Sequence, residues 1–180
     1  MELPPQADAR LAALLERARE TRTDDLAISW HGVTRSWAFG EGARLTQGGS
    51  TRSEPIQTMS VTKSVVGLVI GRLVTLGKLA SIEEPVHALF PEWRQGRKKL
   101  ITVRMLLEHT SGLQNVPMTV EEIYPSPDFV QLALAAELEA EPGTAFAYNN
   151  KAVNLLAGVV ERADGRKLDW SDPRVLVHVE

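Results

Sequence analysis

Residues 58–66 read "TMSVTKSVV", Thr58-Met59-Ser60-Val61-Thr62-Lys63-Ser64-Val65-Val66. A serine stands three positions before a lysine at the head of an apolar run. From Ser60 onward Val61, Val65, Leu68, Val69, Leu73 and Leu76 recur at helical spacing, and Gly77 offers a stop. The run is apolar on most faces, which predicts a buried, central helix. Residues i and i+3 of a helix share a face, with Cβ atoms about 5–6 Å apart. Lys63 can therefore reach Ser60. A serine hydroxyl is a weak nucleophile until a base takes its proton. Desolvation disfavours the charged form of a lysine, and Val61, Val65 and Val66 offer apolar surroundings. A helix N-terminus also favours developing negative charge, as on an oxyanion. Ser-x-x-Lys alone is a weak signal, equally readable as a serine cap followed by an exposed lysine.

Outward from this stretch, Leu11, Leu14, Leu15 and Ala18 mark an amphipathic helix over 8–20, with Asp8 as a possible N-cap. Leu26, Ile28 and Trp30 alternate with polar or small residues, Gly32 allows a turn, and Trp37-Ala38-Phe39 follows. This predicts a β-hairpin over 26–39 with Ile28 and Trp30 on one face. Residues 40–56, rich in Gly, Ser, Thr and Arg, read as an irregular connection. Ser81-Ile82-Glu83-Glu84 has the form of a capping box opening a short helix that ends near Pro91. Thr102 is positioned to cap a helix from Val103 to His109. Ser126-Pro127-Asp128 predicts a helix start with proline at its first position, leading Phe129 to Leu138. Asn150 to Ala163 is amphipathic and closes at Asp164-Gly165.

The bulk figures exclude several functions. The chain has 180 residues, 43% hydrophobic and 24% charged, with a net charge of -3. That balance gives no electrostatic reason to expect nucleic acid or an anionic membrane as partner. The basic cluster over 94–99 reads as a solvated loop. No cysteine is present, which removes disulfides, thiolate metal sites and cysteine nucleophiles. His31, His87 and His178 show no spacing with carboxylates that suggests a metal, and no cofactor is implied. The N-terminus lacks the pattern of a signal peptide and the longest apolar run is broken by Lys63, Gly67, Gly71 and Arg72, so a cytoplasmic location is expected.

A second motif gives Ser60 company. Phe146-Ala147-Tyr148-Asn149-Asn150 lies between a Pro-Gly turn and a helix. A phenol beside a lysine cation loses its proton more easily and can serve as a base. Asn150 offers a donor and an acceptor, enough to hold Lys63 and a substrate carbonyl together. Standing alone, the motif reads as an asparagine cap after a core tyrosine.

Together the segments resemble the serine β-lactamase and penicillin-binding-protein superfamily, in the branch of class C β-lactamases, D-alanyl-D-alanine carboxypeptidases and family VIII-type esterases. Four stretches match in order over roughly residues 22–168. They are "LAISWHGVTRSWAFGEG", "MSVTKSVVGLVIGRLVTLGKL", "ITVRMLLEHTSGL" and "EPGTAFAYNNKAVNLLAGVVERADGRKL". The resemblance implies an α+β, β-lactamase/transpeptidase-like fold, here a helical region with an incomplete antiparallel sheet in one domain over 1–180. It implies that Ser60 is acylated, that Lys63 and Tyr148 share the proton work, and that Asn150 aligns them with substrate. The base, Lys63 or Tyr148, stays open. His109 tempts a Ser-His triad reading because Ser111 is near, but the family's segment carries a structural histidine packed under the helix end. The family's third motif, Lys-Thr-Gly or His-x-Gly, has no counterpart after Asn150, so the later strands and C-terminal helix are expected to lie outside the chain. The expected partner is a small ester, β-lactam or amide. The alternative is an inactive fragment or interaction module, with self-association through an exposed sheet edge.

Overall fold

A computed structural model of the chain describes residues 5–39, 43–46, 49–52, 59–115 and 119–167. Contacts divide the chain into two compact units, Met1–Gln57 and Thr58–Glu180.

In the first unit, α1 spans Pro5–Glu20. It begins ahead of Asp8, which is therefore inside the helix and not its N-cap. Proline is tolerated in a first helical turn because its missing N–H has no intrahelical partner there. The hairpin forms as expected, from β1 (Asp25–Trp30) and β2 (Val33–Ala38). They pair antiparallel from Asp25↔Ala38 to Trp30↔Val33. The two turn residues, His31 (φ 47) and Gly32 (φ 79), both take positive φ, the backbone whose twist suits a two-residue hairpin. Leu26 and Ile28 are half-buried, but Trp30 is 60% exposed.

The supposed connection over 40–56 contains two strands, β3 (Ala43–Thr46) and β4 (Gly49–Arg52), paired antiparallel. The sheet order is β1-β2-β4-β3, with β2 and β4 parallel through Ser36↔Gly49. The sheet is thus mixed, not purely antiparallel. These strands carry one large apolar residue between them, Leu45, so no alternation announced them.

The second unit is helical. A single 3₁₀ turn, Met59–Val61, leads into α2 (Thr62–Thr75). Gly77 follows with φ 70. Then come 3₁₀ turns at Val86–Ala88, Pro91–Trp93 and Arg97–Leu100, and the helices α3 (Val103–Leu107), α4 (Thr119–Glu122), α5 (Phe129–Ala135) and α6 (Asn150–Asp164). The expected capping box at 81–84 does not form, and its Ser and Glu side chains accept from neighbouring N–H groups with no helix behind them. Glu83 N–H donates to Ser81 Oγ (3.1 Å) and Ala80 N–H to Glu84 Oε2 (3.0 Å). Thr102 Oγ1 accepts from Met105 N–H at 3.3 Å, as a cap of α3 should. Asp128, not the position before Pro127, is the N-cap of α5. Its Oδ1 accepts from the Val130 and Gln131 N–H groups, both at 2.9 Å. Pro127 therefore sits one step outside the helix. The basic cluster forms the 3₁₀ turn at 97–100, where Lys98 Nζ lies 5.7 Å from the Trp93 ring centroid.

The core gathers around α6, against which α2, α3 and α5 pack. Its Ala152, Leu155, Leu156, Val159 and Val160 are buried with Ile70, Leu73, Phe90, Trp93, Ile101 and Leu106. The buried Trp93 indole donates to the Leu134 carbonyl (3.0 Å), so its polar edge is satisfied. α2 departs from expectation. Val69, Ile70 and Leu73 are buried, whereas Val61 is 65% and Leu68 75% exposed. Among the described residues, no helix is long and apolar enough to cross a membrane.

Candidate active site

Ser60 sits in the 3₁₀ turn, one residue ahead of the N-cap position Val61 of α2. That places it at the exposed mouth of a helix that buries Val69, Ile70 and Leu73 further along. Lys63, in the first turn of α2, is half-buried. Its Nζ donates to Ser60 Oγ at 3.1 Å, the contact that the three-residue spacing predicts. Of its expected apolar surroundings, Val65 and Val66 are half-buried, but Val61 faces solvent.

Tyr148 arrives from the loop before α6. Its hydroxyl lies 2.8 Å from Ser60 Oγ across 88 residues of sequence. Lys63 Nζ is 5.1 Å from the phenol ring centroid. The nearby Lys63 cation first, and the Ser60 hydroxyl second, hold the Tyr148 pKa below the ordinary tyrosine value of 10.0. Both stabilise the phenolate, which is the form able to accept a proton. Asn150 opens α6, half-buried, two residues beyond Tyr148.

Three supports of this arrangement were not visible in sequence. The N-cap of α6 is Asn149, not Asn150. Its buried amide donates to the Leu113 carbonyl (2.8 Å), and its Oδ1 accepts from Ala152 N–H (2.9 Å). One side chain thus fixes the helix start to the segment after His-Thr-Ser-Gly. Next to it, Lys151 is only 2% exposed and is ion-paired with Glu122 of α4 at 2.5 Å. Finally, Asn115 Nδ2 donates to the Tyr148 carbonyl at 3.0 Å. The repeated Asn-Asn at 149–150 is the signal that a cap and a site residue stand side by side, but nothing in the letters says which is which.

His109 lies two residues beyond α3, which stops at Leu107 and not at His109 as expected. It has φ 57, a left-handed backbone that histidine tolerates better than most residues. Ser111 is buried and its Oγ accepts from Leu113 N–H at 3.4 Å. Nothing brings Ser111 and His109 together as a nucleophile and base. Gly112 (φ 70) is required by space as well as by backbone. A Cβ there would meet the Ala140 carbonyl oxygen at 2.4 Å. Among the described residues, no group of three His, Asp or Glu side chains is placed to hold a metal, and His178 lies outside those residues.

A family profile described as Beta-lactamase matches residues 11–170. This chain belongs to the β-lactamase family. Esterase EstB of Burkholderia gladioli is 34% identical over 128 residues, 61% of this chain and 32% of that protein. The crystal structure of SurE with D-Leu superposes with a TM-score of 0.69 at 26% identity, over 95% of this chain and 38% of that one. A β-lactamase/D-alanine carboxypeptidase from Pseudomonas syringae shares the fold, with a TM-score of 0.66 at 22% identity over 87% of this chain and 46% of that one. The chain spans about a third of the length of the curated relatives it matches.

Proposed function

We propose that the protein is a serine hydrolase that works through an acyl-enzyme on Ser60, with an ester, β-lactam or small amide as substrate. The observation that carries this reading is the convergence of Lys63 Nζ (3.1 Å) and the Tyr148 hydroxyl (2.8 Å) on one serine oxygen. A lone N-cap serine has no need of a second-motif phenol. In this reading the Ser60 proton passes to the Lys63–Tyr148 pair as Oγ attacks the substrate carbonyl. The pair returns the proton to the leaving alcohol or amine. Water, deprotonated by the same pair, then releases the acid and restores Ser60. Asn150, at the head of α6, orients Lys63 and the substrate carbonyl. The esterase relative supports an ester as substrate, and the relative solved with D-Leu supports a small amide of a D-amino acid.

Intact-mass spectrometry after incubation with a fluorophosphonate, benzylpenicillin or p-nitrophenyl acetate tests this. An adduct on Ser60 that vanishes in Ser60→Ala is the expected result. Folded protein that takes no adduct from any of the three would favour the alternative, a non-catalytic interaction module on the same fold.

A further inference from the structure

Four consecutive residues around the phenol rest on a single side chain and its own backbone. The His109 carbonyl accepts from Ala147 N–H at 2.9 Å. Its Nδ1 accepts from Asn149 N–H at 3.0 Å. The two N–H groups that flank Tyr148 are thus both fixed to residue 109. Between them the Tyr148 ring stacks on the imidazole, with centroids 4.5 Å apart and planes 27° from parallel. Phe146 closes the ring edge at 5.8 Å and 73°. From this geometry we infer that His109 is a positioning residue for the site proposed above. Its neutral imidazole, through Nδ1 and the stack, holds Tyr148 against Ser60, and protonating that ring disengages the phenol. The inference rests on the reading of Ser60 as nucleophile.

The chemistry follows from the tautomer. Nδ1 accepts a hydrogen bond, so in the neutral ring the proton is on Nε2. A second proton must go to Nδ1, where it would face the Asn149 N–H, donor against donor. That loses one anchor of the loop and places a cation against the stacked phenol. The surroundings resist this. Burial first, and the Lys63 cation second, hold the His109 pKa below its ordinary value of 6.5. The charged and titratable groups facing the ring are Lys63 of α2 and Tyr148. On its own element, Glu108 pairs with Arg104 at 3.1 Å. A structural histidine needs bulk alone. This one presents a particular nitrogen to a particular amide, at the cost of a left-handed backbone.

The test measures Ser60 labelling by a fluorophosphonate, resolved into a maximal rate and a half-saturating concentration, across pH. His109→Asn keeps an acceptor near the Nδ1 position and tolerates positive φ, but removes the ring and its titration. His109→Phe keeps a ring and removes the acceptor. Both variants should lose about tenfold to hundredfold in maximal rate, with half-saturation unchanged. In the wild type, labelling should fall on the acid side over the same pH range in which ¹⁵N NMR shows the His109 ring gaining its second proton. His109→Asn should lack that limb. Wild-type rate and pH profile in His109→Asn would overturn the inference while leaving the hydrolase reading intact. Absence of Ser60 labelling in the wild type would overturn both. Should the variants fail to fold, the wild-type comparison decides. A ring already charged where labelling is still maximal overturns the inference.

Discussion

At the scale of single residues, the proposed site divides its proton work between two groups that meet on Ser60 Oγ. Lys63→Ala removes one of them. Lysine and alanine are both good helix formers, so α2 should persist with an unchanged far-ultraviolet spectrum. Acylation should fall by at least about a hundredfold, the usual worth of a positioned acid or base. Labelling of Lys63→Ala at the normal rate would remove lysine from the proposed mechanism. The same substitution has a spectroscopic consequence. The Tyr148 pKa is lowered chiefly by Lys63, so its phenolate band near 295 nm should appear at lower pH than that of an ordinary tyrosine. That early phase should vanish in Tyr148→Phe and move to higher pH in Lys63→Ala. An early phase that survives Tyr148→Phe belongs to another group, and the electrostatic link between the two residues would then be absent. The approach of Lys63 to Ser60 was legible from their three-residue spacing, whereas that of Tyr148, 88 residues away, was legible only through the resemblance of the four ordered segments. The choice of Asn149 over Asn150 as cap was not, since either amide can serve and only the backbone geometry (φ -131, ψ 102 at Asn149) decides.

At the scale of elements, α6 is the support on which the phenol loop and the core depend, and its tightest point is Gly158. A Cβ there would lie 2.9 Å from Phe90 Cζ and 3.0 Å from Val130 Cγ1. Alanine in a helix interior normally gains about 0.5–1 kcal/mol over glycine. Overpacking a filled core costs about 1–3 kcal/mol. The second effect is the larger, so Gly158→Ala should lower the urea midpoint by the equivalent of about 1 kcal/mol. A rise in the midpoint would show that Phe90 and Val130 yield freely. The helices α1, α2, α3, α5 and α6 were legible from periodicity and cap chemistry, with ends displaced by one to three residues. What failed has a physical pattern. Over 81–84 the capping-box side chains bond locally, but the apolar residues that follow, Val86, Phe90 and Trp93, are drawn into the core from 3₁₀ turns. In β3 and β4, pairing through backbone hydrogen bonds replaces the apolar alternation by which strands are recognised. α2 was read as wholly buried from its composition, yet composition fixes only which residues prefer burial, not what is available to bury them.

At the scale of the whole molecule, that last mismatch carries a consequence. The exposed apolar residues of the second unit include Met59 (67%), Val61 (65%) and Leu68 (75%), and Val61 and Leu68 stand seven residues apart, on one side of the helix that begins beside Ser60. Fully burying a side chain of this size is worth about 1.5–3 kcal/mol, so such a row has a clear driving force to find a cover. Charge offers little opposition, with a net of only -3 over 180 residues. The 180-residue chain, prepared by itself, should therefore self-associate, and the association should run through this row. Leu68→Lys is the discriminating change. The side chain makes little contact in the folded unit, so stability should move by no more than about 0.5 kcal/mol. A cation in the row should nevertheless shift the population towards monomer. Urea unfolding measures the first quantity and sedimentation velocity across a concentration series the second. A monomer at every concentration would show that the row needs no cover. Association unchanged by Leu68→Lys would move the contact elsewhere, with the sheet of the first unit as the next surface to alter.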